Sequence, residues 1–284
     1  VHLVSGRVGG GMRSLVTGGG GFLGKAIVSR LVDRGWHVRT FNRGAYPELT
    51  AMGVEEARGD LADRDAVERA VEGCDVVFHV AAKAAMWGAY QDFFNTNVLG
   101  TQHVLSACRH HGVPRLVYTS TPSVVHGGDD IEGADESLPY PKRYHAHYPK
   151  TKAEAERAVL AANSPELATV ALRPHLIWGP GDPHLVPQIV ERARQGTLRF
   201  VGDGSNLVDI TYIDNAVDAH VAALDRVGPD AACAGRAYFI SQGEPVFLWD
   251  WINDLLHRVG VVRVSRRVPL RLARYFGALC EACF

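Results

Sequence analysis

The 284-residue chain lacks any excess of charge of one sign: 30 Lys and Arg stand against 31 Asp and Glu, a formal net charge of −1. It carries no basic stripe, so a nucleic-acid partner is not expected. Cysteine is scarce, five scattered residues. An odd, dispersed set makes no disulfide framework and points to a reducing cytoplasm. Cys280 and Cys283 form a CxxC, but without a second pair they complete no zinc site, and no metal is expected. No run approaches the roughly eighteen apolar residues of a membrane span, and residues 1–11 lack the apolar stretch of a signal peptide. Met12 directly precedes the first expected strand, so residues 1–11 are read as an N-terminal extension. Internal repeats and low-complexity tracts are absent too.

What is present is glycine, 30 residues, and its densest cluster is Thr17-Gly18-Gly19-Gly20-Gly21-Phe22-Leu23-Gly24. Arg13 to Thr17 reads as a short buried strand, and Phe22 to Val32 carries apolar residues at helical spacing. Strand, glycine turn and helix together let backbone N–H groups and a helix N-terminus meet a pyrophosphate. Gly19-x-Gly21-x-x-Gly24 satisfies the general dinucleotide fingerprint, and Gly18-x-x-Gly21-x-x-Gly24 the short-chain dehydrogenase form. The next strand, His37 to Phe41, ends where an NAD-binding protein places a carboxylate against the ribose. Here stand Asn42 and Arg43. Loss of the carboxylate removes repulsion against a 2′-phosphate, and a guanidinium grips that phosphate, so NADP is the expected cofactor.

Strands and helices then alternate as right-handed parallel crossovers require. Asp75 to Ala81, Arg115 to Ser120 and Ala168 to Arg173 read as strands, Phe93 to His111 and Tyr148 to Ala162 as helices. Asp60 and Leu61 follow the third strand, where they could reach an adenine, and Ala81 ends the fourth beside the cofactor cleft. The expected fold is α/β: a Rossmann-type doubly wound parallel sheet over residues 12–174, with a smaller, interleaved substrate-binding lobe over 175–284.

Tyr148 and Lys152 are four apart in a helical segment, so their side chains share one face. A free tyrosine, with a pKa near 10, is a poor acid–base group at neutral pH. A lysine ammonium beside it favours the phenolate and makes proton exchange with a carbonyl oxygen practical. A hydroxyl from Tyr118-Thr119-Ser120-Thr121-Pro122-Ser123 would complete the site by hydrogen bonding to the reacting oxygen.

With TGGGGFLG (17–24), RGDLAD (58–63), NVLGT (97–101), LVYTSTPSVVHGG (116–128), YPKTKAEAE (148–156), LRPHLIWGPGD (172–182) and TYIDNA (211–216), the chain resembles the extended short-chain dehydrogenases/reductases. Within them it is similar to the 3β-hydroxysteroid dehydrogenase-like branch, and there to the bacterial reductases of long-chain olefin biosynthesis. The resemblance implies Tyr148 as general acid, Lys152 as its electrostatic partner, Thr121 at the family's Ser/Thr position and Asn97 near the active-site water or lysine network. It also implies Gly18, Gly21, Phe22, Leu23 and Gly24 on the pyrophosphate, Asn42 and Arg43 on the ribose phosphate, Asp60, Leu61 and Ala81 along the cleft, and Pro174 and Leu176 flanking the nicotinamide.

The activity implied is NADPH-dependent reduction of a 2-alkyl-3-oxoalkanoate, a long-chain β-keto acid, to the 3-hydroxy acid. Olefin-pathway enzymes and a second copy of the chain are the protein partners it suggests. Met86, Trp87, Tyr90, Trp178 and Leu185 are candidates for an alkyl-chain pocket. From Pro269 to Phe284 apolar residues fall on one helical face that could touch a membrane surface, and the chain stops within that pattern, so its C-terminus is expected to be incomplete. A sterol 3β-dehydrogenase uses the same site. A nucleotide-sugar epimerase would favour an acid at position 42, a dehydratase would want acids after Thr121 where Pro122 and Ser123 stand, and an NADP-sensing regulator would lose Tyr148 and Lys152.

Overall fold

The computed structural model describes residues 11–273, except Met86 and Asp129. The C-terminal apolar face beyond residue 273, the Cys280/Cys283 pair and Met86 therefore lie outside the described residues, as do residues 1–10.

The first half of the chain alternates strand and helix: β1 (Arg13–Thr17), α1 (Phe22–Asp33), β2 (His37–Asn42), α2 (Pro47–Ala51), β3 (Glu55–Arg58), α3 (Arg64–Val71) and β4 (Val76–His79). A helical stretch follows in three parts: α4 (Tyr90–Phe93), a π-helical turn (Phe94–Leu99) and α5 (Gly100–His110). Next come β5 (Arg115–Thr119), a 3-10 turn (Pro122–Val125), α6 (His147–Ala161) and β6 (Ala168–Pro174). Beyond Pro174 the elements shorten: β7 (Ile177–Trp178), α7 (Leu185–Arg194), β8 (Phe200–Val201), β9 (Leu207–Val208), β10 (Thr211–Tyr212), α8 (Ile213–Arg226), β11 (Arg236–Ile240), β12 (Val246–Phe247), α9 (Leu248–Arg258) and β13 (Arg267–Val268).

Seven strands form one sheet in the order β11-β6-β5-β4-β1-β2-β3, and every pairing in it is parallel. Sequence reversal at β1 and β4 opens a crevice beyond their carboxyl ends, where such sheets bind ligands. The central strands read as continuous apolar runs because helices cover both faces. All four residues of β4 and all seven of β6 are buried. One face packs on α3, α5 and α6 through residues such as Val67, Val104 and Val159. The other packs on α1 and α8 through Ile27, Leu31, Val217 and Leu224. Both α8 and β11 come from the second half of the chain, so the two halves interleave in this sheet. A separate small core joins Ile189 of α7, Phe200 of β8 and Trp249, Ile252 and Leu256 of α9, with Phe200 stacked on Trp249 at 4.7 Å.

Two boundaries depart from the sequence reading. The fourth strand stops at His79 instead of Ala81, because the amides of Val80 and Ala81 turn to the Thr17 hydroxyl (3.1 and 3.2 Å) instead of continuing the ladder. The long helix begins at Tyr90 and is interrupted by the π-turn. Its widened backbone is held where the Thr101 hydroxyl donates to the Asn97 carbonyl at 2.6 Å.

Two buried histidines tie the layers together. The His79 ring bridges Thr17 (Nδ1, 2.8 Å) and Thr101 (Nε2, 2.9 Å), and His220 bridges Thr119 (2.8 Å) and the Ala216 carbonyl (2.7 Å). Burial, reinforced at His79 by the charge of Lys152, holds its pKa down to about 3. Burial alone holds His220 down to about 4, against the hydrogen bond to Ala216. The unfolded chain binds these protons near pH 6.5, so the stabilisation is whole above that pH and drains away as pH falls from 6.5 towards 4. The expected slope is up to about 1.4 kcal/mol per pH unit for each imidazole. Urea unfolding at pH 7, 6 and 5 measures it, and a flat profile contradicts it.

Candidate active site

Where the carboxyl ends of β1, β2, β4 and β5 meet α1 and α6, the chain encloses a cleft of about 380 Å³. Its walls carry Gly18, Gly21, Phe22, Leu23 and Gly24 from the turn and α1, Asn42 and Arg43 after β2, Asp60 and Leu61 after β3, Ala81 after β4, and Tyr148 and Lys152 from α6. Residues expected from distant parts of the sequence thus share one cavity. Pro174 and Leu176 are not on its walls. Pro174 is the buried last residue of β6, and Leu176, with φ +41°, is the one non-glycine residue among those described in the left-handed region.

At the turn, backbone must pass backbone. Gly18 has φ +70°, and a Cβ there would stand 2.9 Å from Ala81 Cα. A Cβ on Gly24 would lie 2.1 Å from the Gly18 carbonyl oxygen. Gly19 is closed by side chain instead, a Cβ there standing 2.4 Å from Thr40 Cγ2. Helix α1 opens at Gly21 with no side-chain cap and no acid in its first turn, so among the described residues no side chain caps the amides that would meet an anion.

Two buried polar atoms on the same walls have no partner in the chain: Asn42 Nδ2 and Ser120 Oγ. Asn42 itself is oriented by accepting from Gly20 N at 3.0 Å. Asp60 turns its carboxylate to Ala62 N at 2.9 Å, and Arg43 stands exposed at the rim. A glycine cradle, a bare helix N-terminus and orphan donors at β2 and β5 fit a dinucleotide.

Helix α6 presents Tyr148 and Lys152 on one face, one turn apart. The phenol of Tyr148 is raised by burial and pulled back by a hydrogen bond with Thr121, whose hydroxyl also lies 3.1 Å from Ser123 Oγ. The expected lowering by lysine is not realised in this arrangement. Lys152 Nζ donates instead to the Thr119 carbonyl at 2.6 Å and lies 4.1 Å from the centroid of the Tyr118 ring. Burial holds the lysine down to about 7, with Glu156 acting in the opposite sense.

Asn97 sits in the π-turn, buried. It accepts from Lys83 N (2.8 Å) and donates to Lys83 O (3.2 Å) and to Thr151 Oγ1 (3.0 Å). It therefore braces the 83 loop and the residue beside Lys152 and does not line the cleft. Of the alkyl-pocket candidates, Trp178 packs edge-on against Tyr212 and Trp251, 5.4 Å each, and Leu185 belongs to the small core. Trp87 is exposed, and Tyr90 contacts the His147 ring at 5.4 Å, next to Tyr148.

Sequence reasoning missed the Thr119 carbonyl, a backbone group with no sequence signature, and the buried ion pair of Glu156 with Arg173. The i+4 spacing from Lys152 to Glu156 was the available signal. Among the described residues, Glu68, His110 and His111 form the one group that brings three metal-type ligand atoms within 4.8 Å of one another. The Glu68 carboxylate accepts from His110 and lies 3.3 Å from His111 Nε2. Also among the described residues, no helix is long and apolar enough to cross a membrane.

A parallel sheet with this glycine cradle and a Tyr-x-x-x-Lys helix on one cleft defines an extended short-chain dehydrogenase/reductase. Residues 15–272 match the 3-beta hydroxysteroid dehydrogenase/isomerase family, and the chain belongs to it. It is 58% identical over 273 residues to a 2-alkyl-3-oxoalkanoate reductase of Stenotrophomonas maltophilia, covering 95% of this chain and 82% of the relative. It is 37% identical to the decarboxylating sterol-4-alpha-carboxylate 3-dehydrogenase of Mus musculus, covering 93% and 73%. Among solved structures, MoeE5 in complex with UDP-glucuronic acid and NAD superposes with a TM-score of 0.76 at 28% identity, covering 90% of this chain and 85% of that one.

Gly24→Ala should collapse the cradle. Dinucleotide affinity is expected to fall at least about tenfold, equivalent to about 1.4 kcal/mol, read by fluorescence titration of a variant whose circular dichroism is unchanged. Undiminished binding contradicts the close packing of Gly24 on Gly18.

Proposed function

We propose that this protein reduces the 3-keto group of a long-chain 2-alkyl-3-oxoalkanoate to the 3-hydroxy acid with NADPH, as a step of olefin formation. The observation that carries the substrate is the 58% identity, over nearly the whole chain, to a reductase of that name. The sterol dehydrogenases stand at 37%, which makes a sterol alcohol the second reading.

Bound NADPH supplies the hydride; the chain's own residues place and protonate. Gly18, Gly21, Phe22, Leu23 and Gly24 would hold the pyrophosphate through backbone and the α1 N-terminus. Asn42 and Arg43 would take the ribose phosphate: Asn42 Nδ2 is an unmatched buried donor, Arg43 adds a cation, and no carboxylate opposes the anion at this strand end. Asp60, Leu61 and Ala81 would line the adenosine side, and Pro174 and Leu176 the nicotinamide side. Tyr148 donates a proton to the ketone oxygen as charge develops there, and Thr121 shares that oxygen as a second hydrogen-bond partner. Lys152 carries a positive charge behind them, and Asn97 holds the helix register through Thr151. Fixing ketone and phenol in one orientation supplies most of what the protein contributes. Half-buried Tyr90, against His147, offers apolar surface next to Tyr148 for an alkyl chain.

The test is NADPH oxidation with a synthetic 2-alkyl-3-oxoalkanoate, beside a sterol and a UDP-sugar. Turnover of the first is expected; turnover of only one of the others overturns the substrate. Tyr148→Phe should lower kcat by at least about 100-fold with little change in melting temperature, and unchanged turnover removes Tyr148 from the chemistry. Asn42→Asp should weaken NADPH against NADH by about tenfold, since it puts a carboxylate against the 2′-phosphate. Unaltered KM values for both cofactors would contradict NADP recognition at β2.

A further inference from the structure

Below Lys152, α6 carries a buried charge that the mechanism above does not use. Glu156 is fully buried and Arg173, on β6, nearly so. Arg173 grips the carboxylate with two bonds, Nε to Oε2 at 3.0 Å and Nη2 to Oε1 at 2.7 Å. Tyr140 donates its hydroxyl to Oε1 at 2.6 Å. That tyrosine is clamped in turn by the Arg157 guanidinium, 4.2 Å from its ring centroid, and the Arg173 guanidinium lies 5.2 Å from the Phe239 ring of β11. Four parts of the fold converge on one carboxylate: α6, β6, β11 and the stretch before α6.

Tyr148, Lys152 and Glu156 follow one another at four-residue intervals, so they rise along one face of α6. Lys152 is enclosed by His79 from β4, the Tyr118 ring and Thr119 carbonyl from β5, and Tyr148 and Glu156 on its own helix. His79 stays neutral at neutral pH and the two tyrosines are protonated. In that enclosure Glu156 is the fixed anion. A buried ammonium without a counter-charge releases its proton, and a neutral lysine can neither favour a phenolate nor hold an anionic cofactor. A bidentate Arg173 holds the carboxylate immobile.

We infer that Glu156 is a positioning residue for the reaction: locked by Arg173 and Tyr140, it fixes α6 against β6 and sets a carboxylate one turn below Lys152 that favours the charged form of that lysine. The inference rests on the catalytic reading of Tyr148 and Lys152.

The test titrates Lys152 by NMR of ¹³Cε-lysine in the full chain without added nucleotide, the signal being assigned with Lys152→Met. The wild-type midpoint is expected at about 7. Glu156→Gln should lower it by about one pH unit and move the alkaline limb of the kcat profile down equally. Glu156→Gln leaves Arg173 buried without its partner and can unfold the chain. The paired variant Glu156→Met with Arg173→Met removes both charges at similar volume, a replacement that buried ion pairs often tolerate. Its midpoint should also fall, by less, because the opposing charge of Arg173 leaves together with the anion. An unchanged or raised midpoint in either folded variant overturns the inference and reduces the network to a structural bolt. The titration needs no substrate, so it gives its answer even if wild-type protein reduces no 3-oxo acid.

Discussion

A lysine ammonium withdrawn from water constrains the whole catalytic half of this molecule. Burying a charge is costly unless fixed dipoles and counter-charges replace its hydration. The chain replaces it with a carbonyl at the end of β5, the face of Tyr118, and a carboxylate that is itself held by an arginine. Each of those groups comes from an element of the seven-stranded sheet or a helix lying on it. The sheet order matters to chemistry for this reason: moving β5 or β6 by one place would leave the ammonium without its partners.

Local chemistry was legible in the sequence wherever it depended on spacing within one segment. The glycine turn, the Tyr148/Lys152 pair and the Asn42-Arg43 strand end are such cases, and the fold brings all three to one cleft. What escaped depended on distance. In the run Lys152-Ala153-Glu154-Ala155-Glu156-Arg157 the charged residues look alike, and only the phase of α6 against the sheet separates buried Lys152 and Glu156 from half-exposed Glu154 and exposed Arg157. Arg173 inside an otherwise apolar strand was the matching sign. Asn97, expected near the lysine network, acts on backbone fourteen residues away and on a threonine, contacts that no spacing rule reports. Pro174 and Leu176 read as cleft residues, yet the enclosed walls leave them out.

The electrostatics also correct a simple picture of the Tyr-x-x-x-Lys pair. Proximity along a helix was expected to let lysine acidify tyrosine. Here burial dominates both groups, raising the tyrosine and lowering the lysine, so two groups that ordinarily titrate close together are driven apart. A group near neutrality is sensitive to its surroundings, and modest charges nearby then have large effects on which form it takes.

The π-turn at Phe94–Leu99 makes part of the site depend on counting and not on composition. A π-turn holds one residue more than the α-helical turn it replaces, so the helix emerges from it rotated relative to an uninterrupted one. Asn97 faces Thr151, and Thr101 faces His79, only because that extra residue is present. Substitutions along this helix alter single contacts. Loss or gain of one residue would turn α5 by roughly a hundred degrees, the angular step of a single α-helical residue, and disengage the layer joining glycine turn, catalytic helix and sheet at one stroke. Chains built on this plan should therefore keep the length of this segment, with Asn97 and Thr101 in place, while its other positions vary.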